Sequence, residues 1–174
     1  MSLPRCIRTR LLEALWTETK NCFARDELGL AEAYGGSAPR IYAHPLKPGD
    51  SITPRQINIV TVPINFTEGT GGVTDSVYEY EILFTFPIQT IYYTPGENSY
   101  LCEIDALRYW LYAGGSVPNR NGRLADPDNP GAKINNNIVR WAEGGWRVAP
   151  GNAGVEVPVV ISFETREDAT GGRA

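Results

Sequence analysis

The clearest pattern in the chain runs from Ser76 to Ile88, where apolar and polar positions alternate residue by residue. Tyr78, Tyr80, Ile82, Phe84, Phe86 and Ile88 fall on one side of an extended backbone, with Glu79, Glu81 and Thr85 on the other. A period of two over this length predicts a β-strand with one buried face. Beyond a Pro-Gly turn the period changes. Leu101, Ile104, Leu107 and Leu111 recur at three- to four-residue steps and predict an amphipathic helix up to Tyr112. Asn98 or Ser99 can cap its free amides, and Gly114-Gly115 can end it.

The same two periods organise the rest. Ile7, Leu11, Leu12, Leu15, Cys22 and Phe23, with Arg8, Glu13, Thr17 and Lys20 between them, predict a first helix from about Arg5 to Ala24, and Pro4 suits its first turn. A Gly-Ser-Pro segment near Gly35–Pro39 precedes a short strand at Arg40–His44. After a turn at Lys47–Pro54, Gln56–Phe66 reads as a second strand. The Glu68–Gly72 connection then makes a hairpin with the long strand. Pro63 and Pro87 lack an N–H and belong at edges, ends or bulges. Ser116–Asn137 is rich in Asn, Pro, Gly and Asp and reads as one long structureless loop, of a kind that is often functional or ordered by a partner. Ile138–Trp141 and Trp146–Val148 suggest a hairpin or bulged strand, and Val155, Val157, Val159, Ile161 and Phe163 alternate as the closing strand. The expected fold is α+β: a mixed, mostly antiparallel five-stranded sheet packed against two main helices, in the order α-β-β-β-α-β-β, with a long Gly/Asn/Pro-rich loop. One domain covers residues 1–169, and Thr170–Ala174 is expected to be a mobile tail.

Composition narrows the class. With 174 residues, 42% apolar and 21% charged, the chain has the make-up of an ordinary globular domain. A net charge of -4 argues against a dedicated nucleic-acid binder. No apolar run is long enough for a membrane span, and Met1–Arg10 does not read as a secretion signal. Cys6, Cys22 and Cys102, odd in number and widely spaced, suit a reduced environment better than a disulfide framework.

No motif announces catalysis. His44 is the single histidine, beside Pro45 and without a nucleophile signature, and reads as structural. There is no C-x-x-C pair, no zinc-like ligand set and no phosphate-binding glycine loop, so no cofactor or metal is expected. Asp126, Asp128 and Asn129 resemble part of a calcium loop, but Pro127 and Pro130 interrupt it, and a turn is the better reading. Glu79 and Glu81 share a strand face at a spacing of about 7 Å, open to a carboxylate-pair role, although solvated glutamates are the usual finding on such a face. Trp141 and Trp146 could line a ligand or glycan groove in a monomeric binding module; core and interface packing explains them more simply.

The charge layout says more. No lysine or arginine occurs between Arg55 and Arg108, while Glu68, Asp75, Glu79, Glu81, Glu97, Glu103 and Asp105 lie within that interval. Arg5, Arg8 and Arg10 stand at one end of the chain, and Arg120, Arg123, Lys133, Arg140 and Arg147 follow later. Random clustering can produce such separate acidic and basic regions; the functional reading is head-to-tail self-association, with the basic residues Arg5, Arg8, Arg10, Arg120, Arg123 and Lys133 as contacts between copies or to a neighbouring ring.

In its order of elements the chain resembles the tail terminator, or tail-to-head joining, proteins of long-tailed bacteriophages. The resemblance rests on the amphipathic helix Ile7–Phe23, the Gly-tipped hairpin Gln56–Ile88, the helix Ser99–Ala113 and the valine-rich strand Val155–Phe163. It implies a non-enzymatic virion protein, assembled in the bacterial cytoplasm. That protein would form a hexameric ring which caps the tail tube, ends its polymerisation and meets the neck or head-completion protein. Its partners would be its own copies, the tail tube protein and the connector, with DNA only passing through the lumen. It also implies an acidic lumen, for which Glu68, Asp75, Glu79 and Glu81 are the candidates, since like charge prevents lasting contact with phosphate. A tail-tube or head–tail joining ring is the alternative assignment.

Overall fold

The computed structural model describes residues 5–24, 39–45, 56–62, 65–68, 73–86, 99–113, 124–129, 131–134, 136–149 and 154–168. Among the described residues nine elements follow one another: α1 (Ile7–Ala24), β1 (Arg40–Tyr42), β2 (Gln56–Thr61), β3 (Asn65–Glu68), β4 (Val73–Phe86), α2 (Ser99–Ala113), β5 (Asn136–Glu143), β6 (Arg147–Val148) and β7 (Val155–Asp168). The seven strands form one sheet in the order β1-β2-β4-β7-β5, with β3 also on β4 and β6 also on β7. β1 runs parallel to β2, and every other pairing is antiparallel.

The alternation read from the sequence sets the register. β4 and β7 pair along their whole length, from Val73 opposite Asp168 to Phe86 opposite Val155. This places Tyr78, Tyr80, Ile82, Phe84 and Phe86 beside Phe163, Ile161, Val159, Val157 and Val155, and all ten are buried in one core. Leu11, Ala14 and Leu15 of α1 and Ile104, Leu107 and Leu111 of α2 join that core, as do Ile57 and Ile59 of β2. Both helical stripes thus lie on a single face of the sheet. Tyr80 spans the core, meeting Phe163 edge-on at 5.9 Å and donating its hydroxyl to the Arg8 carbonyl at 2.7 Å.

Five expected strands become seven because two lanes of the sheet are broken. The second strand does not run unbroken from Gln56 to Phe66. Thr61 pairs with Tyr80 and Asn65 with Val77, so one strand advances four residues while its partner advances three, which is a bulge. Pro63 falls within that gap, outside the described residues. The outer lane breaks at Pro158. The proline carbonyl accepts the Gly144 amide at 2.8 Å, so its donor-less nitrogen faces the same neighbour, and there β5 ends. The chain re-pairs at Arg147 opposite Glu156. β5 and β6 therefore do not form a hairpin with each other. Both pair with β7, and next to the β6–β7 pairing the Ala149 amide donates to the Gly154 carbonyl at 2.9 Å. A second bulge separates Ile138 from Arg140 in β5.

Two further expectations need correction. Leu101 does not belong to the buried stripe of α2 but is exposed at its first turn. The segment 116–137 is not structureless where it is described: Ala125 bridges Lys133, and Leu124 and Ile134 are buried in the core. Between them Asp126 makes the expected turn, its Oδ1 accepting the Asp128 amide and its carbonyl accepting the Asn129 amide. The segments 69–72, 87–98, 114–123 and 169–174 lie outside the described residues, and with them Pro87, Ile88, the Gly114-Gly115 helix end and the expected C-terminal tail.

Candidate functional site: the sheet face opposite the described helices

Opposite the helices, the sheet turns its second set of alternating positions outward. No described helix covers that face. In β4 these positions are Val77, Glu79, Glu81, Leu83 and Thr85, and in β7 they are Glu156, Pro158, Val160, Ser162 and Glu164. Glu79 and Glu81, two of the acids singled out by sequence, therefore project from the centre of this face. The Ser162 hydroxyl donates to Glu79 Oε1 at 2.8 Å, and Arg140 Nη1 of β5 lies 4.0 Å from the same oxygen. Glu81, half-buried, stands in register between Val60 and Val160.

One end of the face is more tightly built. Gln56, Thr85 and Glu156 are register neighbours and all are buried. Gln56 Nε2 donates to Asn58 Oδ1 at 2.9 Å, and Asn58 Nδ2 to the His44 carbonyl at 3.1 Å. Arg147 holds the Glu156 carboxylate at 2.7 Å. His44 thus serves the fold through its main chain, while its ring lies 5.2 Å from that of Tyr42.

The remaining candidates are scattered. Glu68 and Asp75 occupy register positions opposite Thr74 and Thr67 at the far end of the hairpin. Arg5 bonds Asp128 and Glu13, and those hydrogen bonds, chiefly the one to Asp128, raise its pKa from the ordinary guanidinium value. Arg8 donates to the Val62 carbonyl at 2.7 Å, satisfying a main-chain group at the β2–β3 break. Arg10 is buried against Asp126 and has little surface left for a partner. Lys133 is exposed on the bridge of the ordered loop. Arg120 and Arg123 lie outside the described residues.

Chemically, the face opposite the described helices offers fixed carboxylates with a serine and an arginine as neighbours. Among the described residues no group of three potential metal ligands occurs. No described helix is long and apolar enough to cross a membrane. A cavity of about 220 Å³ lies elsewhere, between the end of α1 and β1, lined by Lys20, Phe23, Ala24, Pro39 and Ile41. The Lys20 ammonium sits 3.3 Å from the centre of the Trp16 ring, so that corner is occupied by a cation–π pair. Trp141 packs against the core while Trp146 is exposed, and the two do not share one platform. The sequence reading missed the Arg147–Glu156 and Arg140–Glu79 neighbours. Strand pairing alone creates them, and no local pattern announces it.

Comparison with solved structures adds a likeness of shape. A chain of a solved structure described as the virion of a native gene transfer agent (GTA) particle superposes with a TM-score of 0.46 at 11% identity, covering 92% of this chain and 95% of that one. No family model and no curated protein matches the chain.

Proposed function

We propose that the chain is a structural protein of a phage-like particle, which self-associates into a ring with an open channel at the end of a tail tube. The observation that carries this reading is the arrangement of the described residues: both described helices bury one face of the sheet, and the other presents Glu79 and Glu81 near its centre. In a ring, such a face can line a passage that repels nucleic-acid phosphate. The element order resembles that of tail terminator proteins, which makes termination of the tube and joining to the neck the specific role. A hexamer is the expected copy number, with tail tube and neck or connector proteins as neighbours. Glu68 and Asp75 extend the same acidic hairpin in this reading, while Arg5, Lys133, Arg120 and Arg123 are its contacts to adjoining copies or rings. Arg8 and Arg10 contribute by fixing α1 to the sheet and loop.

Light scattering and negative-stain imaging of the purified protein test the proposal. Closed rings of fixed mass are expected. Unlimited tubes would assign the chain to the tube itself, and a single copy at every concentration, alone or with tube protein, would end the ring reading. Within rings, Glu79→Gln with Glu81→Gln should leave assembly intact and increase retention of DNA at low salt. Equal retention would remove these two residues from the channel.

A further inference from the structure

We draw no further inference here: the strongest candidate, the exposed apolar surface at Trp146 and Val148 on the outer lane of the sheet, carries nothing because nothing in the structure shows what covers it.

Discussion

Arg10 Nε donates to Asp126 Oδ1 at 3.1 Å, joining the first helix to a turn 116 positions further along the chain. Both side chains are almost wholly removed from solvent, and Asp128 lies 3.5 Å from the same guanidinium. This latch gives the polar 124–134 segment a fixed place on the fold. Two buried charges with matched hydrogen bonds can be accommodated together, but neither can be left alone.

Asp126→Ala is accordingly expected to cost about 3–5 kcal/mol, because it strands a buried guanidinium. Asp128 nearby should hold the loss toward the lower figure. The double change Arg10→Met with Asp126→Leu should cost clearly less than Asp126→Ala, as apolar replacement removes both desolvated charges. Denaturant midpoints for the single and double variants decide the matter. A double variant weaker than either single would refute the account.

Glycine is required at Gly154 by proximity. A Cβ there would stand 2.2 Å from the Phe86 carbonyl oxygen and 3.7 Å from Thr85 Cγ2, whereas a Cβ at Gly145 would meet nothing within 4 Å. Gly154→Ala should destabilise by about 1–3 kcal/mol as the β4–β7 end shifts, and Gly145→Ala should stay within about 0.5 kcal/mol of wild type. Thermal melts of the two variants give the comparison, and equal melting temperatures would contradict the packing described for this corner.

The helix faces can be tested with one substitution at three places. Leu15 and Ile104 are buried in the core, while Leu101 is exposed. Leu15→Asp or Ile104→Asp should unfold the domain, since an unpaired buried charge costs several kcal/mol, much of the stability of a typical domain. Leu101→Asp should fold normally. Circular dichroism of the three variants checks this, and a folded Ile104→Asp product would mean that α2 is rotated.

The cysteines should differ in reactivity. A hydrogen bond between Cys6 Sγ and Thr9 Oγ1 at 3.2 Å holds the exposed Cys6 thiol below its usual 9.0. Burial, followed by the charges of Glu103 and Glu18, pushes Cys22 up to about 12. Alkylation of the folded protein near pH 8 should therefore mark Cys6 well before Cys22. The folded state keeps the Cys22 proton after the unfolded chain has released it. This contribution is complete below pH 9.0 and is lost as the pH rises toward about 12. Cys22→Ala should flatten the fall in urea midpoint over that interval. Identical slopes in the variant and the wild type would rule this out.

Much of the fold was legible because alternation is local. The Tyr78-to-Phe86 and Val155-to-Phe163 patterns named the two central strands and their buried sides, and the helical steps through Leu11, Leu15, Ile104 and Leu107 named the faces that meet them. Leu101 was misread because a three-residue step also connects a helix's first turn to its flank, and only packing shows which side the neighbours occupy. Pro158 was the overlooked signal: a proline inside an alternating strand already requires a broken neighbour on one side. Of the candidate site, Glu79 and Glu81 were visible as a polar face. Ser162 and Arg140 were not, as they come from strands far from Glu79 in sequence, and the Arg147–Glu156 pair, nine residues apart, exists only because β6 pairs with β7.

The amino-acid order by itself settled the α+β class, the buried face of each central strand and the uneven placing of acids and bases, since periodicity and charge are properties of neighbours along the chain. Tertiary structure decided which arginines are consumed internally, where the sheet lanes break and which aromatic side chains remain outside. Those outcomes depend on contacts between different segments, from 9 residues apart at Arg147 and Glu156 to 116 apart at Arg10 and Asp126. Free energies of desolvation and packing exist only once such segments have met.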